Sequence, residues 1–202
     1  MQNVHKRKHG WFHHYRRPFL WINGTAFVLL WVFTQPVWPF PGPVFNEVME
    51  GLGYLVLVVG IIGRMYASFT IASHKNARVV KTEMYSIVRH PLYFFSFLIA
   101  IGIGLLTERA ELLLYMAAFN LTCFYPMIRN EEKYLESKFG PEYAEYKRRV
   151  PMLLPNVFKW TAREKIEINL RLVTRTILDG SVALLLFPAV EIMEVIKAWT
   201  SV

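Results

Sequence analysis

Tyr85-Ser86-Ile87-Val88-Arg89-His90-Pro91-Leu92-Tyr93 is a short polar island between two long apolar runs. An arginine, an imidazole and two tyrosines fall within nine residues, and a proline fixes the backbone among them. Proline bars the residue before it from the helical region, so His90 is expected to be extended and a new helix to begin at or just after Pro91. Arg89 and His90 then stand at a helix N-terminus, where free N–H groups and the helix dipole attract anions. From the residues alone, this is either an interfacial turn that binds lipid phosphate or a ligand site.

The runs on either side set the architecture. Upstream, residues 47–72 are dense in Gly, Val, Leu and Ile, and Gly53, Gly60 and Gly63 suit close helix packing. Arg64 interrupts that run near its end, where it marks a functional site or snorkels to the interface. Downstream, residues 93–106 and 112–128 are apolar and joined by the turn Thr107–Glu111. Both are shorter than the roughly 20 residues a span needs, so they are expected to form an antiparallel hairpin whose ends extend into polar sequence. Residues 19–38 are a further candidate span, with Trp21 and Trp38 near its ends as interfacial aromatics; Pro36, Pro39, Pro41 and Pro43 close it. This run has no cleavage site of small residues and is read as a retained helix rather than a signal peptide. Residues 176–199 form the last apolar run.

Charge sorts the segments between these runs. Of the 23 Lys and Arg residues, 20 lie in 1–18, 73–92 and 129–175. With five spans these three segments alternate, so they share a side, and the positive-inside rule places them in the cytosol with the N-terminus. The net charge of +8 therefore follows topology; no basic face with interleaved aromatics points to nucleic acid. A single cysteine, Cys123, excludes a disulfide framework and a Cys-rich metal site. His5, His9, His13 and His14 in the basic arm have no carboxylate or cysteine beside them, and no metal site is expected.

The second polar segment opens with Arg129-Asn130-Glu131-Glu132 at the exit of an apolar run. Adjacent helical carboxylates point about 100° apart, so at most one of the two faces a given pocket. On the residues alone, the favoured reading is a solvated helix end with i,i+4 pairing to lysines. Because 73–92 and 129–155 flank the same short hairpin, they are expected to meet at its cytosolic mouth.

The combination of motifs is specific where each alone is weak. Tyr85, Val88-Arg89-His90-Pro91-Leu92-Tyr93, Glu131-Glu132, Phe139-Gly140-Pro141-Glu142-Tyr143-Ala144-Glu145-Tyr146 and Val150-Pro151 with Pro155 occur in this order. Over about residues 50–156 the chain resembles the isoprenylcysteine carboxyl methyltransferase and phospholipid methyltransferase superfamily of integral-membrane enzymes. It departs from that pattern at Glu83 and Phe95, where the family carries glycines.

The apolar runs and the charge pattern predict an all-α, polytopic membrane helical bundle of about five transmembrane helices, to which the resemblance adds a cytosolic cofactor pocket. Residues 1–18 are expected to be a basic cytosolic arm and 161–202 a linker and an additional C-terminal transmembrane helix, with the arm and that helix outside the matched region; 19–160 would be the methyltransferase core. The resemblance implies methyl transfer from S-adenosylmethionine to a lipophilic or lipid-modified acceptor, by carboxyl O-methylation or amine N-methylation. Tyr85, Arg89, His90, Pro91, Leu92, Tyr93, Glu131 and Glu132 would contact the cofactor, with Arg129 and Glu132 in catalytic roles. Expected partners are the acceptor and membrane lipids. Two alternatives remain at this point: an NADPH-dependent enzyme resembling membrane sterol reductases, and a non-catalytic membrane interaction protein.

Overall fold

The structure is a computed structural model that describes residues 25–27, 29–31, 33, 42–72, 78–162 and 174. The chain divides into two compact units, Met1–Pro36 and Val37–Val202. Residues 25–27, 29–31 and 33 are helical and belong to the first. The basic arm, most of the 19–38 run and the 176–199 run lie outside the described residues.

In the second unit, all regular structure is helical among the described residues. It comprises α1 (Pro43–Ala72), the single turn α2 (Met84–Ile87), α3 (Pro91–Leu106), α4 (Ala110–Phe139), α5 (Pro141–Arg149) and a 3-10 turn at Val157–Lys159. Helix α1 begins at Pro43, four residues before the apolar run, because proline suits the first helical turn, whose N–H groups are unpaired anyway. Helices α1 and α4, over Val44–Ile71 and Ala110–Phe139, are long and apolar enough to cross a membrane, and α3 is a shorter apolar helix. Their outer faces carry exposed Val48, Leu55, Ile62, Leu114 and Leu121. That surface suits lipid and is poorly suited to water.

Helices α1 and α3 pack backbone to backbone through small residues. A Cβ added at Gly102 would lie 2.7 Å from the Leu57 amide nitrogen, and one at Gly60 would lie 2.9 Å from the Ile99 nitrogen. Gly63 lies against the ring of Phe95, so the space that Phe95 needs in place of the family glycine is supplied by α1. Leu57, Ile61 and Leu106 form the buried centre of this interface. Arg64 turns toward α3, where it donates to the Leu92 carbonyl and the Ser96 hydroxyl.

The α3–α4 hairpin forms as expected. Thr107 caps the end of α3 through its hydroxyl on Gly104 O at 2.7 Å, and Arg109 is buried in the turn. Helix α4 continues well past its apolar part, through Glu132 to Phe139. Gly140 then reverses the chain with φ of +52°, a conformation glycine adopts without strain, and Pro141 starts α5. Tyr143, Tyr146 and Val150 form a second buried cluster with Val79, Leu135 and Phe139, which fastens α5 to the polar end of α4.

Candidate functional site

At the polar end of the hairpin, His90 has φ of −122° outside the helical region, and the buried Pro91 opens α3. The segment before it is held by the loop that follows α5. Glu83 N–H donates to Thr161 O at 2.8 Å, Asn156 N–H to Ile87 O at 2.9 Å, and Arg89 N–H to Pro151 O at 2.9 Å. Thr161 N–H adds a bond to Ser86 Oγ, and the Tyr146 hydroxyl donates to Tyr85 O at 2.7 Å. The Val150-Pro151…Pro155 stretch is therefore a strap laid antiparallel along residues 83–89.

Glu132 reaches this turn from α4. It is 1% exposed. Its Oε1 lies 2.9 Å from Arg89 Nη1 and 3.4 Å from His90 Nε2. Its Oε2 lies 3.2 Å from Lys147 Nζ and 3.6 Å from Arg129 Nη1. Lys147 also pairs with Glu136 at 2.8 Å. These distances satisfy charge more fully than hydrogen bonding. Arg89 Nε and Nη1 and Glu132 Oε2 are buried with no aligned hydrogen-bond partner among the described residues. Arg89 Nη1 and Glu132 Oε2 are held by ion pairs, whereas Arg89 Nε has no hydrogen-bond partner among the described residues; buried polar atoms without a hydrogen bond are rare in folded proteins. Arg89 also lines a cavity of about 670 Å³ with Lys147, Arg148, Arg149 and Lys159; none of the described residues lining it is acidic.

The reading of Glu131-Glu132 as a solvated helix end is corrected here. Glu132 is drawn inward by cations from distant segments, Arg89 and Lys147, rather than by lysines on its own helix. Glu131 is half-buried, and its charge acts on His90 and Tyr85. As expected of adjacent helical residues, only one carboxylate enters the centre. Tyr85 is buried behind the turn, Leu92 offers its carbonyl to Arg64, and Tyr93 lies 5.9 Å from the His90 ring and 5.2 Å from Phe124. Arg129 stands at the rim with half its side chain exposed. Lys147 is the member of the cluster that sequence reasoning did not single out. It lies seven residues past Gly140, one place after Tyr146, and only the reversal at Gly140 returns it to Glu132.

The two departures from the family pattern have physical accounts. Glu83 has φ of 57° and ψ of −136°, a region that only glycine enters freely, which accounts for the glycine that the family pattern sets at this position. Its buried carboxylate accepts a hydrogen bond from the Tyr66 hydroxyl at 2.5 Å. Strain of about 1–3 kcal/mol is thus set against a charge-assisted bond of about 1.5–3 kcal/mol. Glu83→Gly alone is expected to be near neutral. In a Tyr66→Phe background, where the bond is already gone, it is expected to stabilise by about 1 kcal/mol or more. Thermal unfolding of the four proteins checks this; equal destabilisation by Glu83→Gly in both backgrounds would refute it.

His90 gives the site a pH dependence. Burial lowers its pKa below the ordinary value of 6.5, against the opposing pull of Glu131 and Glu132. The unfolded chain therefore binds a proton more readily than the folded one. Stability from the neutral imidazole is complete above pH 6.5 and is lost as pH falls through the lower folded value. The melting temperature of the detergent-solubilised protein is expected to fall below pH 6.5, and His90→Gln to flatten that part of the curve. An unchanged slope in His90→Gln would remove His90 as the cause.

Residues 48–137 match the model of the isoprenylcysteine carboxyl methyltransferase (ICMT) family. The chain is 31% identical over 162 residues to the cobalt-zinc-cadmium resistance protein CzcN of Cupriavidus metallidurans, covering 80% of this chain and 74% of the relative. It is 36% identical over 115 residues to protein-S-isoprenylcysteine O-methyltransferase of Saccharomyces cerevisiae, covering 52% of this chain and 48% of that one. Among solved structures it is similar to the eukaryotic intramembrane Ras methyltransferase ICMT, with a TM-score of 0.55 and 21% identity over 71% of this chain and 55% of the other.

Proposed function

This chain belongs to the isoprenylcysteine carboxyl methyltransferase family of membrane methyltransferases, and from that premise we propose that it transfers a methyl group from S-adenosylmethionine to a lipophilic acceptor at the membrane surface. The observation that carries the cofactor assignment is the incomplete charged centre. Arg89 Nε and Nη1 and Glu132 Oε2 are buried and lack aligned partners among the described residues. The two Arg89 nitrogens match the carboxylate of the cofactor's amino-acid end. The charge distribution along the sequence supports a centre that faces the cytosol.

When bound, S-adenosylmethionine supplies a sulfonium methyl that is transferred by direct displacement. What remains for the protein is alignment and the exclusion of water. Arg89 holds an anion at the start of α3, with its own backbone fixed by the bond to Pro151 O. Tyr93 and the neutral imidazole of His90 present aromatic faces suited to a sulfonium cation. Arg129, at the rim, is placed to hold an acidic acceptor. Glu132 is already committed to Arg89, His90 and Lys147, which leaves it poorly placed to take a proton from an amine. The site therefore favours a carboxylate acceptor, which needs no base, over an amine.

Calorimetry on the purified protein tests the reading. S-adenosylmethionine and its demethylated product are expected to bind saturably and NADPH not to bind. NADPH binding, or no binding of either sulfur compound by folded protein, would overturn it.

A further inference from the structure

The strap carries side chains that its role as a wall does not explain. Phe158 is 97% exposed, more than any other large apolar side chain among the described residues, and Leu154 and Val157 are 80% and 63% exposed. These residues form the lip of the 670 Å³ cavity, beside the cations Arg148, Arg149 and Lys159. Backbone bonds from Arg89 N–H to Pro151 O and from Glu83 N–H to Thr161 O pin the strap on both sides of the lip, and Asn156 N–H to Ile87 O pins it within.

We propose that this lip is an interfacial anchor. Leu154, Val157 and Phe158 enter the edge of the bilayer, and Arg148, Arg149 and Lys159 meet the phosphates of anionic phospholipids. Three observations place the lip at that depth and give it that partner. Trp160 stacks on Tyr66 of α1, with ring centroids 6.3 Å apart. Tyr66 lies five residues before the end of the span at Ile71, about 8 Å at the helical rise and so near the boundary between the hydrocarbon core and the headgroups. Ile62 lies one turn earlier on the same face and is 61% exposed, so an apolar surface runs from the lipid-facing side of α1 through Trp160 to the lip.

The charge complements an anionic surface. Arg149 pairs with Glu145, and Lys147 with Glu132 and Glu136, whereas Arg148 meets no carboxylate among the described residues. An apolar tip ringed by cations is the composition of an interfacial anchor. Its consequence is local: the bilayer holds the strap against the Arg89-His90 turn, so anionic lipid bears on the order of the site.

The test uses the full chain in nanodiscs of phosphatidylcholine alone, or with about one phosphatidylglycerol in four to give an anionic surface. A nitroxide is attached at Phe158→Cys in a Cys123→Ala background, and separately at Leu154→Cys and at the exposed control Ala144→Cys. Collisional relaxation by oxygen is compared with that by a water-soluble nickel chelate. Labels at 154 and 158 are expected to favour oxygen and the label at 144 to favour nickel. Phosphatidylglycerol is expected to raise the oxygen preference at 158, and Arg148→Gln with Arg149→Gln to abolish that increment.

Nickel accessibility at 154 and 158 equal to that at 144 in both lipids would overturn the proposal and leave the lip to a soluble partner. Spin–spin broadening at 158, with shielding from both reagents, would overturn it in favour of a second copy of this chain. Neither result depends on turnover, so the proposal can fail while the methyltransferase reading stands.

Discussion

Glu132→Ala is expected to weaken S-adenosylmethionine binding about 100-fold and to cut methyl transfer with it, while the α1–α3–α4 frame remains folded. The side chain is buried and is approached by Arg89, His90, Lys147 and Arg129. Its removal leaves Arg89 buried without its counter-charge, and breaking one side of a buried pair costs about 3–5 kcal/mol. The low end, about 3 kcal/mol, applies because Lys147 and Arg129 reach water. Arg89 would then leave the turn, and the strap bonded to that turn would loosen with it. A loss of that size in cofactor affinity is about 100-fold. Glu132→Gln, which keeps the shape and loses the charge, should fall between wild type and alanine. Calorimetry with S-adenosylmethionine, run beside a circular dichroism melt, separates the outcomes. Wild-type affinity in folded Glu132→Ala would remove the carboxylate from the site.

Gly102→Val should leave little folded protein to purify. The first added atom would lie 2.7 Å from the Leu57 nitrogen and 2.9 Å from its Cα, and neither belongs to a side chain that can swing away. The two helices would have to separate. Between membrane helices there is little hydrophobic force to draw them back, because close van der Waals packing is itself the attraction. Overpacking costs about 1–3 kcal/mol where side chains can adjust; against backbone the upper end is expected. Gly51→Ala is the control. Nothing lies within 4 Å of the added atom, and Gly51 is inside α1. Alanine there should be neutral or stabilise by up to about 1 kcal/mol through helix propensity. Yield of monodisperse protein on size exclusion, followed by thermal unfolding, checks both. A well-folded Gly102→Val would mean that the α1–α3 crossing is looser than described.

Much of this was legible in the sequence because the signals were one-dimensional. Pro91 marks a helix start wherever it occurs, and glycines at 53, 60 and 63 mark close approach once the run is read as a helix; their partner Gly102 was not singled out. The meeting of 73–92 with 129–155 followed from the short hairpin between them, which leaves two polar ends little room to part. Glu132 was harder. Its own helix offers lysines that look like partners, but burial gives the stronger claim to Arg89 and Lys147, whose positions depend on the reversal at Gly140. Glu83 was visible only as a mismatch to a family pattern. The reason for the family glycine is a dihedral angle, and the chain's answer to it, the Tyr66 hydroxyl, sits 17 residues upstream on another helix. The exposed lip at 154–158 gave no signal, since five residues with two prolines nearby carry no readable period.

The strap also sets an order of events during synthesis. Residues 83–89 leave the ribosome more than sixty residues ahead of 151–161, the segment that fixes their backbone. In the interval α3 and α4 have time to insert and pair, since local helix contacts form early and long-range closure comes late. The centre around Glu132 thus matures after the membrane frame beneath it. A nascent chain halted near residue 150 would own every helix of that frame yet have no wall for the pocket, and cofactor occupancy would report completion of the loop rather than insertion of the spans.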